Sequence, residues 1–146
     1  MIEKQHIFFQ LEASTQKEAI QSLVEKAAEN GKVSDVETTV QAVLTREEEG
    51  TTGFGKGIAI PHGKSDGVAE PVLMFAKTAE NLEWNSMDGE PVQMVFLILV
   101  PEESHSEHLQ LLAKLARKLM HDDFVATLRE TGDAEQLQDF LEKELA

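Results

Sequence analysis

The residues most able to do chemistry lie together in Thr51-Thr52-Gly53-Phe54-Gly55-Lys56-Gly57-Ile58-Ala59-Ile60-Pro61-His62-Gly63-Lys64. Glycines at 53, 55 and 57 free the backbone for conformations closed to other residues. Successive N–H groups in such a loop, starting at Thr52, can form a nest for an anion. Pro61 fixes φ and removes a donor, so it stops the short strand Ile58-Ala59-Ile60 and delivers His62 at a strand end beside a small neighbour. An imidazole there can act as nucleophile or proton carrier near neutral pH. The spacing is G-x-G-x-G and a strand follows it, so a dinucleotide-binding fingerprint is excluded. Gly63-Lys64-Ser65 lacks the upstream glycine of a P-loop. On residues alone, the stretch is an anion site or a glycine-rich turn that His62 merely fills.

Two further positions could join it. His108 shares a helix face with Leu111, Leu112 and Leu115, which suits a core histidine as well as a functional one. A first-turn position would put it near the positive end of the helix dipole, which disfavours its protonation. His105 lies three residues earlier and could pair with His108 on a metal, and a metal-dependent hydrolase built on His62, His105 and His108 is one reading. No carboxylate or cysteine completes a recognisable zinc spacing, and no metal or other cofactor is expected. Arg46 ends a helix just before the glycine stretch. Its planar fork matches phosphate oxygens, though arginine at a helix C-terminus also serves the dipole, and Glu47-Glu48-Glu49 could simply pair with it.

The elements that must hold these residues alternate in type. An apolar stretch at Ile7-Phe8-Phe9 reads as a first strand. Thr15-x-x-Glu18 is a capping box ahead of Ala19, Ile20, Leu23, Val24 and Ala27, and Ser34-x-x-Glu37 caps a second helix carrying Val36, Val40, Val43 and Leu44. Val72 to Ala76 reads as a strand and Gln93 to Val100 as a buried central one, with Asp88-Gly89 a turn before it. Ser104-x-x-Glu107 caps a third helix, followed by helices over Phe124 to Glu130 and Ala134 to Leu145. Helices flanking strands throughout predict an α/β layered domain with a mixed sheet.

Composition narrows the class. The 146 residues suit one domain, 1–146. With no cysteine, disulfides, thiol chemistry and thiolate metal sites are excluded. A net charge of −14 repels phosphate backbones and anionic lipid, so nucleic acid and membrane surfaces are poor partners; the charge serves solubility, or else steers a basic protein toward the chain. No apolar run reaches the roughly 20 residues that span a bilayer, and the N-terminus lacks the regions of a signal peptide. A cytoplasmic protein is expected.

The run Gly53-x-Gly55-x-Gly57-Ile58-Ala59-Ile60-Pro61-His62-Gly63 strongly resembles the phosphorylation-site signature of the enzyme IIA domains of the fructose/mannitol class in the bacterial sugar phosphotransferase system. Arg46-Glu47, Ser86-Met87-Asp88-Gly89-Glu90-Pro91-Val92 and His108-Leu109-x-x-Leu112-Ala113-x-Leu115-Ala116 look like that family too. The resemblance implies a mixed sheet of about five strands with helices on both sides. It implies that His62 is phosphorylated, at Nε2, with Arg46 and His108 beside it. The implied donor is the phosphocarrier HPr. The implied acceptor is a cysteine of an enzyme IIB domain that feeds a membrane permease. In this scheme Arg46, one N–H of His108 and the loop N–H groups at Thr52, Gly53, Gly55 and Gly57 cradle the phosphoryl oxygens without magnesium. The Met87–Val92 segment favours the fructose type, and a regulatory nitrogen-type relative is the alternative.

Overall fold

The computed structural model describes residues 2–104 and 106–146. After a 3-10 turn at Lys4–His6 the chain forms β1 (Ile7–Leu11), α1 (Gln16–Glu29), α2 (Val36–Glu49), β2 (Gly53–Gly55), β3 (Ile58–Ala59), β4 (His62–Ser65), β5 (Val72–Leu82), β6 (Val92–Pro101), α3 (Glu107–Leu119), α4 (Asp122–Glu130) and α5 (Ala134–Leu145). The sheet runs β1-β5-β6-β3-β2, and β4 also pairs with β6. It is mixed, as expected: β1 lies parallel to β5, β5 and β6 are antiparallel, and both β3 and β4 run parallel to β6. The sheet has six strands where about five were expected. The difference is a broken edge, since β3 and β4 lie end to end along β6 with Ile60-Pro61 between them.

The alternation of side chains along a strand divides the interior in two. On β6, Val95, Leu97 and Leu99 join the core under α1 and α2, where Ile20, Leu23, Val24, Val40 and Val43 meet them. Met94, Phe96, Ile98 and Val100 point the other way, into the core closed by Leu115, Leu119, Leu128, Leu137 and Leu141 of α3 to α5. A strand buried on both faces reads as a continuous apolar run, which is why β6 is plain in the sequence. The outcome is a three-layer sandwich with β4 exposed at one edge.

Helices α1, α2 and α5 start on side-chain caps, and the second and third helices start later than expected. Thr15 Oγ1 accepts from the Glu18 N–H at 3.1 Å, as the capping box requires, and the Glu18 carboxylate accepts from the Ser14 N–H at 2.8 Å. The second helix is capped by Asp35, not Ser34: the Asp35 carboxylate takes the Thr38 N–H at 3.1 Å, while the Ser34 hydroxyl donates to the Gly67 carbonyl at 3.3 Å. Ionised Asp accepts more strongly than a serine hydroxyl, which moves the cap by one residue. The third helix starts after Ser106 rather than Ser104, whose N–H closes a turn onto the Pro101 carbonyl at 3.1 Å. Strand β5 outruns its expected end at Ala76 because its continuation through Lys77, Thr78 and Glu80 is polar and carries a register shift.

Helix α2 sits unusually close to β4, and Gly63 is the reason. A Cβ at that position would lie 2.8 Å from Val43 Cγ2 and 3.2 Å from the Val43 nitrogen. Since backbone cannot yield as a side-chain tip can, Gly63→Ala is expected to push α2 outward. Overpacking of this kind costs about 1–3 kcal/mol. A thermal melt of Gly63→Ala at the wild-type midpoint would show that the contact is slack.

Candidate active site

Beyond β4 the sheet ends, and the two helix layers leave an open cleft of about 820 Å³. Arg46 from α2, His62 and Lys64 from β4 and His108 from α3 all line it. The structure therefore brings together the three residues singled out in the sequence. His62 opens β4 instead of ending β3, because β3 stops at Ala59 and Pro61 interrupts the ladder. The break is itself anchored: the Ile60 N–H donates to the Thr52 carbonyl at 3.0 Å and the Ile98 N–H to the Pro61 carbonyl at 3.1 Å.

The half-buried His62 ring is fixed by one bond. Its Nδ1 lies 3.0 Å from the Ile60 carbonyl oxygen. A carbonyl can only accept, so Nδ1 carries the proton and a neutral ring has its lone pair on Nε2. Burial holds the His62 pKa below the ordinary histidine value of 6.5, and the nearby charges of Arg46 and His108 add to this, against opposing pulls from the Ile60 carbonyl and Glu47. The ring is therefore neutral, with an available nucleophilic nitrogen, at neutral pH.

The same shift links stability to pH. His6 is also held below 6.5 by burial, with Lys32 acting in the same direction and Glu3 opposing. For both groups the unfolded chain binds protons that the folded chain refuses. Their contribution is complete above the unfolded value and is lost as pH falls through the folded values. Melting temperature is expected to fall between about pH 7 and pH 5, and to fall less in His6→Phe. A profile identical in wild type and His6→Phe would show that the buried His6 plays no part in it.

Arg46 Nη1 donates to the Gly50 carbonyl at 2.8 Å, so the guanidinium closes the C-terminal end of its own helix while lining the cleft. Its helix-end and cleft roles thus coexist. His108, half-buried in the first turn of α3, lines both the cleft and a 230 Å³ apolar crevice between α3 and strands β5 and β6. His105 lies outside the described residues.

The loop residues Thr52, Gly53, Gly55 and Gly57 do not line that cleft. They form the β2–β3 hairpin, whose turn puts Lys56 and Gly57 at φ 59° and 80°. Ile58 stands opposite Met94 and His62 opposite Ile98, so about 13 Å of sheet separates the hairpin turn from the histidine. Of the expected donors, Thr52 already holds an anion of the chain's own, and the neighbouring Lys56 N–H, which was not among them, holds another. The Thr52 N–H and hydroxyl bind the Glu47 carboxylate at 2.7 and 2.5 Å, and the Lys56 N–H binds the Asp88 carboxylate at 3.0 Å. The Gly53 N–H donates to Thr51 Oγ1 at 3.0 Å. The stretch expected to bind phosphate is a hairpin, stapled by Glu47 at Thr52 and by Asp88 at Lys56. Glu47 binds Thr52, where pairing with Arg46 was considered.

Two residues near His62 were missed. Lys64 lies two positions along β4, hence on the same side of the strand, and brings a cation into the cleft. That i, i+2 spacing was visible, but only once 62–65 is recognised as a strand. Glu47 carried no local signal, since its partner Thr52 lies across a turn.

An edge-strand histidine thus shares one cleft with an arginine and a second histidine, in a three-layer α/β domain. Comparison with known proteins makes the class specific. Residues 1–144 match the model of the family described as phosphoenolpyruvate-dependent sugar phosphotransferase system, EIIA 2. The chain is 41% identical over 128 residues to the PTS system fructose-specific EIIA component of Haloferax volcanii, covering 88% of this chain and 83% of that one. It superposes on the crystal structure of nitrogen regulatory protein IIA-Ntr from Neisseria meningitidis with a TM-score of 0.87 at 30% identity, covering 99% of this chain and 96% of that one. It also matches a complex of enzyme IIA-Mtl with phosphorylated enzyme IIB-Mtl from Escherichia coli, with a TM-score of 0.81 at 25% identity and 98% of each chain covered. This chain belongs to the EIIA type 2 family of the sugar phosphotransferase system. No helix among the described residues is long and apolar enough to cross a membrane.

Proposed function

We propose that this chain is a phosphoryl carrier that accepts a phosphoryl group on His62 Nε2 from phosphorylated HPr and passes it to a cysteine of an enzyme IIB domain. The observation that carries the reading is the bond from His62 Nδ1–H to the Ile60 carbonyl, which leaves Nε2 as the free nucleophile on the cleft. Nε2 attacks phosphorus as the donor's P–N bond breaks, and a new N–P bond forms. Because the Ile60 carbonyl keeps the proton on Nδ1, the phosphorylated ring is cationic and a good leaving group for onward transfer. Phosphoryl transfer is chiefly positioning and charge stabilisation. Arg46 and Lys64 can neutralise the equatorial oxygens and His108 can donate to one of them.

The fructose-specific relative supports a sugar-uptake role of the fructose type. The likeness to the nitrogen regulatory structure supports a second reading, in which the phosphorylation state is itself the signal. Both begin with the same step. The test is incubation with phosphoenolpyruvate, enzyme I and HPr, followed by intact mass, then addition of a fructose-type IIB domain. Gain of one phosphoryl group, then its loss to IIB, is the expected result. Gain without discharge to IIB favours the regulatory reading, and no gain ends the carrier reading.

A further inference from the structure

Glu47 occupies the last turn of α2, where the helix dipole disfavours a carboxylate. It is nonetheless held there, half-buried, by two short bonds to Thr52, at 2.7 Å from the N–H and 2.5 Å from the hydroxyl. The same hydroxyl accepts from the indole N–H of the buried Trp84 at 3.2 Å, so its rotation is fixed. On one side, Thr51 Oγ1 donates to the Trp84 carbonyl at 3.2 Å and takes the Gly53 N–H at 3.0 Å. Residues 51–53 are thereby immobilised.

From there a hydrogen-bonded path leads to the cleft, besides the direct pull of the Glu47 charge on His62. The Thr52 carbonyl accepts the Ile60 N–H at 3.0 Å, and the Ile60 carbonyl accepts His62 Nδ1–H at 3.0 Å. The Ile60-Pro61 peptide bond has no N–H of its own, so the position of that carbonyl depends on how residue 60 is held. We propose that Glu47 is a positioning residue for His62: by fixing Thr52 it aims the Ile60 carbonyl at Nδ1 and so selects the ring tautomer that exposes the Nε2 lone pair. This deepens the carrier reading and rests on it for its transfer measurement, but the tautomer is independent of any transfer.

Glu47→Ala removes both bonds to Thr52, Glu47→Gln keeps an acceptor for the Thr52 N–H, and Thr52→Val removes the hydroxyl while leaving the N–H. Three readouts are taken: the nitrogen NMR shifts of the His62 ring, Trp84 fluorescence, and the rate of phosphoryl transfer from HPr. Wild type is expected to show one neutral tautomer, protonated on Nδ1. In Glu47→Ala the two ring nitrogens should move toward averaged shifts, Trp84 emission should change, and transfer should fall about 10- to 100-fold, the scale of a small misplacement of a reacting group. Glu47→Gln should restore most of the tautomer preference. If Trp84 emission changes while the ring nitrogens and transfer stay as in wild type, Glu47 only staples the hairpin and the proposal is overturned. Should Glu47→Ala not fold, Thr52→Val decides by the same readouts. Absence of transfer in wild type would end the carrier reading alone, and the ring nitrogens would still decide the role of Glu47.

Discussion

His62→Gln is expected to take up no phosphoryl group from phosphorylated HPr. The substitution removes the nitrogen nucleophile, and an amide nitrogen, its lone pair delocalised, does not replace it. Glutamine keeps a polar end that can still donate toward the Ile60 carbonyl, and His62 is only half-buried, so the fold should survive. At most the cost is the net worth of one hydrogen bond, about 1 kcal/mol. Intact mass is the direct check. In wild type the added group should be lost in acid and kept in base, as a phosphoramidate is. His108 makes this substitution informative, because it lines the same cleft and is the obvious second acceptor. Phosphorylation that persists in His62→Gln and disappears when His108 is also replaced would move the carrier role to His108. A melting temperature within a few degrees of wild type shows that the loss is chemical.

How much of this was legible in the sequence depended on where the apolar pattern was strong. Strand β6 and the helices carrying Leu23, Val43, Leu115 and Leu141 are written in runs or at helical spacing, because each is buried against the sheet. Residues 51–65 carry no such pattern. Two of their three strands contain glycines, all are two to four residues long, and they are held by pairing of β3 and β4 with β6, of β2 with β3, and by the carboxylates of Glu47 and Asp88. Glycine density signals backbone freedom, but not what that freedom serves. Here it serves a left-handed turn at Gly57 and a close helix approach at Gly63, while the Thr52 N–H holds Glu47 and the Lys56 N–H holds Asp88. Residue types and spacing left His62, Arg46 and His108 open between site and structural roles, and it was the resemblance to the enzyme IIA family that implied they lie side by side. Their convergence depends on two helices from opposite layers meeting at a sheet edge, which no local pattern states.

That convergence sets the second large effect. Replacing His108 by Ala is expected to slow phosphoryl transfer roughly 10²-fold, the scale of removing one preorganised donor. His108 sits in the first turn of α3, the helix that follows β6, and β6 is also the strand against which His62 is registered, opposite Ile98. The two histidines are thus placed from the same strand, one beside it and one after it, and a charge on His108 would lower the His62 pKa. A phosphoryl group on Nε2 would put its oxygens into the cleft that both His108 and Arg46 line. The alternative is a packing role, since His108 also borders the apolar crevice formed with Leu73, Ile98 and Leu111. The two roles separate by substitution. His108→Gln keeps a donor of similar reach and should retain most of the rate. His108→Leu keeps the apolar contact but cannot donate, so it should melt near wild type and transfer as slowly as Ala. Truncation to Ala should cost about 1 kcal/mol of stability besides. If Leu transfers at the wild-type rate and only Ala is impaired, His108 is there to fill the crevice, and Arg46 and Lys64 must hold the phosphoryl oxygens without it.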